Sequence, residues 1–128
     1  MALLDTCVLI WLTSDQAALS PVAVETIRSR SGRLFVSAIS GFEIALLCAK
    51  GRLKLPRRAS DWFEDAIERH GLTEIPLTGR LAAEAADLPR LHSDPADRFI
   101  VATAMAHRLE IVTPDNHISR YEGIETIW

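Results

Sequence analysis

Four carboxylates stand where their sequence neighbours would bury them. Asp5 lies in MALLDTCVLIWL, with Ala2, Leu3 and Leu4 before it and Cys7, Val8, Leu9, Ile10, Trp11 and Leu12 after it. Glu43 has Ile39, Leu46 and Leu47 at i−4, i+3 and i+4, spacings that share one face of a helix. Asp97 has Ile100 and Val101 three and four residues on, and Ala104 a turn further. Asp115 follows the strand-like IVT. An unpaired ionised carboxylate in an apolar interior costs several kcal/mol or takes up a proton. Four acids from four segments, brought together by a fold, repel one another unless something positive sits among them.

A hard divalent cation meets that need. Carboxylate oxygens with water suit Mg2+ or Mn2+, which bind through a few acids and substrate phosphates. Cations held this way clamp a phosphodiester, activate water for in-line attack and stabilise the leaving oxygen. Zinc fits poorly: His70, His92, His107 and His117 are far apart, and no HExxH or CxxC occurs. Neither His92 nor His117, which flank the acids in sequence, is assigned a proton-shuttle role, although His117 is the better candidate.

Each acid also has an ordinary explanation. Asp97 falls at the third helical position after an Asp94 cap, where any acid gains from the helix dipole. Asp115 in TPDN suits a simple turn. A shift of helix phase would turn Glu43 to solvent. Asp5 is hardest to explain away, because apolar residues flank it on both sides, and the case for a cation rests on the four acids together.

The elements that must position these acids are short strands alternating with helices. Ala2–Asp5 reads as a first strand, with a helical turn or two over 6–13. Ser20-Pro21 caps a helix stopped by Gly32. RLFVS (33–37) is a second strand, and Ser37 caps a helix running to Gly51. Ser60 caps a helix ending at Gly71, and LTEIP (72–76) is a third strand. Thr78 begins an alanine-rich helix that stops near Pro89, and Asp94-Pro95 begins another through about His107. EIVTP (110–114) and IETIW (124–128) are the last two strands. This alternation predicts an α/β fold with a mostly parallel sheet of about five short strands covered on both faces. Ligands gather beyond the carboxyl ends of such strands, where Asp5 and Asp115 would stand.

The chain, at 128 residues, fits one domain, 1–128, with no repeat, linker or low-complexity tract. Its net charge of −3 gives no general attraction to nucleic acid, so an anionic partner needs a local basic patch or a bound cation. No uncharged apolar stretch approaches a membrane span, and no basic region precedes the N-terminal apolar run as in a signal peptide. Cys7 and Cys48 lack metal spacing and read as reduced, buried thiols, so a soluble cytoplasmic protein is expected.

LLDTCVLIWL, SAISGFEIALLCAKGRL, HSDPADRFIVATAMAHRLEIVTPD and YEGIETIW together resemble the PIN domain and, within it, the VapC-type toxins of bacterial toxin–antitoxin pairs. The likeness runs from first residue to last, and HSDPADRFIVATA is its strongest stretch. It implies a three-layer α/β/α fold and an Mg2+- or Mn2+-dependent endoribonuclease whose acidic pocket is Asp5, Glu43, Asp97 and Asp115. By that likeness Asp5 and Asp97 are the main direct metal ligands, with Glu43 and Asp115 acting through water or a second metal. Thr6 and Thr113 resemble the family's hydroxyls that orient the carboxylates. The resemblance also implies a homodimer held inactive by a cognate VapB-like antitoxin.

Lys50, Arg52, Lys54, Arg57 and Arg58 form the basic cluster of the chain. Two readings stand side by side: Arg52, Lys54 and Arg57 hold an RNA backbone, or they keep a solvated loop soluble. Arg98 touches a phosphate or pairs with a neighbouring acid. Trp11, Trp62 and Trp128 suit packing better than base stacking. A receiver domain would need an aspartate after the third strand, where Pro76-Leu77-Thr78 stands, and a late lysine, whereas the chain has only Lys50 and Lys54. An aspartyl phosphatase would want a second aspartate where Cys7 stands. A catalytically silent PIN-like module that binds RNA or protein remains the alternative to the ribonuclease.

Overall fold

Ala2–Leu4 form β1, the central strand of the computed structural model, which describes residues 1–89 and 94–128. His92 lies outside the described residues. All three residues of β1 are fully buried, as a parallel strand covered on both faces requires. β2 (Leu34–Ser37) and β4 (Glu110–Val112) flank it, and β3 (Thr73–Ile75) and β5 (Thr126–Ile127) lie outside them. Among the described residues the order is β3-β2-β1-β4-β5, with every pairing parallel. Leu4 pairs with Val36 on one side and Val112 on the other. The next residues along, Asp5, Ser37 and Thr113, therefore leave the sheet together. The chain moves outward from β1 through β2 to β3 and then crosses to β4 and β5 on the other side, and this reversal opens a crevice at the carboxyl end of β1.

Alternation along β1 builds the two outer layers. Ala2 and Leu4 pack with Val8 and Leu9 of α1 (Thr6–Ser14), Ala23 of α2 (Pro21–Ser29), Ile44 of α3 (Ala38–Ala49), and Trp62 and Phe63 of α4 (Ala59–Arg69). Leu3 faces the other way, into Ile100, Val101 and Ala104 of α6 (Pro95–His107). Beside α6 lies α5 (Gly79–Asp87), with Leu81 and Ala85 buried. Each fully enclosed Leu or Ile contributes roughly 2 kcal/mol by its removal from water. This is the α/β/α arrangement expected from the alternation of elements. Among the described residues no helix is long and apolar enough to cross a membrane.

The expected caps form at most helices. Ser20 accepts from Ala23 N–H at 3.0 Å, Ser37 from Ile39 at 3.2 Å, Thr78 from Leu81 at 3.1 Å and Asp94 from Ala96 at 3.0 Å. At the end of α3, Gly51 takes φ 71°, and Arg52 N–H reaches back to Leu47 C=O at 2.9 Å. That left-handed turn costs glycine nothing and leaves Lys50 and Arg52 at the helix terminus.

Two expectations need correction. The helix expected to start at Ser60 begins earlier: Arg58 is the cap residue, and its carbonyl accepts from Trp62 N–H at 2.9 Å. The earlier start brings the half-buried Ala59 against the same core as Trp62. Cys7 and Cys48 are free but half-buried rather than buried. Trp128 packs, tilted, on Trp11 with ring centroids 5.8 Å apart, in keeping with the packing role expected of it, while staying 38% exposed. Two short 3-10 turns, Gln16–Ala18 and Ile118–Arg120, carry no periodicity that would have announced them.

Candidate active site

Asp5 is the last residue before α1, in extended backbone, and its N–H completes the sheet by donating to Val112 C=O at 3.1 Å. Its side chain is buried yet fully engaged. Oδ1 accepts from Thr6 N–H at 2.7 Å, and Oδ2 accepts from the Thr113 hydroxyl at 2.6 Å. Thr113 follows β4 in register beside Asp5, so the parallel pairing itself delivers the donor. The same Thr113 oxygen accepts from Asp115 N–H at 3.0 Å, and Asp115 Oδ1 accepts from His117 N–H at 2.8 Å. Asp115 is thus a turn residue held at the rim of the crevice.

Glu43 enters from α3. The Thr6 hydroxyl donates to Glu43 Oε1 and therefore accepts from the Ser40 hydroxyl, 2.8 Å away. Ser40 is completely buried one turn before Glu43 on α3. Asp97 and Asp94 come from the opposite layer, on the first turn and the cap of α6. One carboxylate oxygen each from Glu43, Asp94 and Asp97 lie within 4.8 Å of one another. Asp97 is 7% exposed, whereas Asp94 faces solvent.

The electrostatic consequences are large. Burial pushes the Asp97 carboxyl up to about 8, with Asp5, Asp94, Asp115 and Glu43 adding repulsion. Burial likewise raises Glu43 to about 7, against a lowering by the Thr6 hydroxyl. Asp5 is raised by burial and by Asp115 and Asp94, with Thr113 and Thr6 pulling it back. Beside it, burial and the Asp5 charge push the Cys7 thiol up to about 12, so Cys7 is no nucleophile. Two ionised carboxylates 4.8 Å apart repel by about 3.5 kcal/mol at an effective dielectric near 20. A few such pairs rival the roughly 5–15 kcal/mol that holds a whole domain together. The donor set fits a hard cation: three carboxylates from two layers, with no cysteine or histidine in the cluster among the described residues.

Asp5 lies close enough to act on both Asp97 and Glu43 through its charge, and Asp115 acts on Asp97 and Asp5, whereas the tight carboxylate cluster itself is Glu43, Asp94 and Asp97. Sequence reasoning assigned Asp94 only to helix capping and overlooked Ser40. Asp94 has no apolar flank to mark it, and only the approach of α3 to α6 shows its second use. The candidate RNA contacts separate. Arg52 lies at the end of α3 with Lys50, Lys54 is exposed, and Arg57 sits 3.7 Å from Asp65. Arg98 serves the fold instead. Its guanidinium donates to Ala86 C=O at 2.8 Å and Leu88 C=O at 2.7 Å, capping the end of α5.

The family model for the PIN domain matches residues 2–124. This chain is a PIN domain. It is 34% identical to Ribonuclease VapC22 of Mycobacterium tuberculosis, across 98% of this PIN domain and 97% of that protein. Among solved structures it is similar to a chain of VapBC2 from Rickettsia felis bound to a promoter DNA fragment. The TM-score is 0.71 at 14% identity, covering 98% of this PIN domain and 96% of that chain. DNA-bound VapBC from Salmonella typhimurium gives a TM-score of 0.71 at 20% identity, covering 98% and 97%. At those identities the likeness is one of fold, and the PIN architecture matches along its whole length.

Proposed function

We propose that this PIN domain is a metal-dependent endoribonuclease, the toxin half of a VapBC-type pair. The observation that carries the reading is the set of crowded, desolvated carboxylates at the end of β1, which is costly without a counterion and useful with one. Its 34% identity to a VapC ribonuclease across nearly all of both chains supports RNA as the substrate. The VapBC complexes among its structural relatives support a VapB-like antitoxin as partner. We further assign it to the cytoplasm as a homodimer, by its resemblance to VapC-type proteins.

Asp5, Glu43, Asp97 and Asp115 are the proposed catalytic acids, and Asp94 joins them as a candidate ligand. Mg2+ or Mn2+, when bound, supplies charge compensation, a polarised water and stabilisation of the leaving oxygen. The chain's own residues set the geometry. Thr6 N–H and the Thr113 hydroxyl each hold one oxygen of Asp5, so that carboxylate cannot rotate. The Ser40–Thr6 pair does the same for one oxygen of Glu43 and leaves the other available. Asp94 and Asp97 share the first turn of α6, whose dipole favours negative charge.

Incubating the purified chain with labelled single-stranded RNA, with and without Mn2+, tests the reading. Internal cleavage that requires the metal and disappears in Asp5→Asn is expected. Binding without cleavage would instead identify a silent RNA-binding module, and Asp5→Asn cutting as well as the parent would remove Asp5 from the mechanism.

A further inference from the structure

A cleft of about 360 Å3 runs from the acids along α3. Glu43 and Asp94 stand at one end, and Lys50 and Arg52 also line it. Along α3 between them the wall is Leu46 and Leu47, with Phe42 beside Glu43 and Phe99 contributed by α6. Phe42 is 60% exposed and Leu46 39% exposed, so neither is held there by the core. Of the apolar stripe that marked Glu43, Ile39 is buried in the core, while Leu46 and Leu47 line the cleft.

Building on the nuclease reading above, we propose that this cleft is a nucleobase subsite. Phe42 stacks one base of a single-stranded RNA next to the scissile phosphate, and Lys50 and Arg52 hold a phosphate on the other side of it. The lining matches the parts of a nucleotide chain: acids that take a cation and its phosphate, the exposed Phe42 ring beside Glu43, and two positive charges at the far end of α3. Lys50 lies about two turns beyond Glu43, roughly 10 Å along the helix axis, so its cation meets a phosphate further along the strand than the scissile one. Neither Lys50 nor Arg52 makes an ion pair among the described residues, unlike Arg57, Arg69 and Arg80. The volume is at the small-ligand end of roughly 300–1,000 Å3, a size suited to a heterocycle. In a chain of net charge −3, two unpaired cations beside an exposed ring are the electrostatic foothold an RNA strand needs.

Phe42→Ala tests the subsite without touching the acids. Binding of two equal-length oligomers, one single-stranded RNA and one abasic ribose-phosphate strand, is measured in the Asp5→Asn background. Cleavage of the RNA oligomer with Mn2+ is measured in the parent background. The chain with Phe42 is expected to favour the base-bearing strand by at least about 5-fold. Phe42→Ala abolishes that preference and raises KM with kcat little changed, and Phe42→Trp restores it. A chain that prefers bases through Phe42 but does not cut RNA keeps the subsite and ends the nuclease reading. A chain that cuts RNA with the same base preference and KM in Phe42→Ala keeps the nuclease reading and overturns the subsite. In that case the cleft belongs to another occupant, such as a segment of the antitoxin. Absence of any base preference in the parent overturns it equally.

Discussion

The Thr113 hydroxyl and Asp5 Oδ2 lie 2.6 Å apart although 108 positions separate them in the chain. The bond exists because β1 and β4 are parallel neighbours whose last residues are in register. Thr113 oxygen also accepts from Asp115 N–H, so one hydroxyl orients two of the proposed catalytic acids. Thr113→Val keeps the shape and removes both bonds. Loss of a hydrogen bond to a charged group costs about 1.5–3 kcal/mol. Urea unfolding is expected to show a loss of that size, with cleavage falling more steeply than the folded fraction. Cleavage that merely tracks the folded fraction would leave Thr113 a purely structural residue.

Asp94 has two separable roles. Serine is as good an N-cap as aspartate, whereas alanine costs about 1 kcal/mol. Asp94→Ser should therefore keep the denaturation midpoint of the parent and still weaken Mn2+ binding, measured by calorimetry. Asp94→Ala should lose both. Parental metal affinity in Asp94→Ser would confine Asp94 to capping α6.

The carboxyls of Asp97 and Glu43, raised to about 8 and about 7, make the metal-free fold pH-sensitive. The folded chain holds protons that the unfolded chain has already lost. Their stabilising share is thus complete below the ordinary carboxylate range and is lost as pH rises through about 7 to 8. In chelator, the melting temperature is expected to fall between about pH 5 and about pH 8.5, and Mn2+ is expected to reverse that fall. Asp97→Asn should flatten the chelator profile. A metal-free profile that rises across the same interval would contradict the crowding of these acids.

Arg98 and Arg52 should part company. Arg98→Ala is expected to destabilise the fold by about 1.5–3 kcal/mol, since two backbone carbonyls lose a charged donor, while KM for RNA stays at the parental value. Arg52→Ala should leave the melting temperature unchanged, raise KM and flatten the salt dependence by about 0.7 in log–log slope. Steady-state kinetics at several salt concentrations separate the two, and a raised KM in Arg98→Ala would return that residue to the RNA path.

Local signals in the sequence were enough for most of the architecture. Apolar runs as short as Ala2–Leu4, hydroxyl and acid caps at Ser20, Ser37, Thr78 and Asp94, and glycine stops at Gly51 and Gly71 each act over a few residues. Where the expected elements shifted, a distant contact prevailed. The start of α4 differs where the half-buried Ala59 packs beside the buried Trp62, and the half-exposed Cys48 lies on a helix face whose phase only packing sets.

The identity of the acids, their misfit with apolar neighbours and the implied need for a cation belong to the sequence alone, because desolvation is written in local composition. Which acids share one cluster, that Asp94 stands beside Glu43 and Asp97, that Arg98 is spent on α5, and that Phe42 borders an open cleft were decided by the tertiary structure. Those relations depend on how α3 and α6 approach from opposite layers of the sheet. Distances of a few ångströms between residues fifty positions apart leave no trace in the periodicity of either helix.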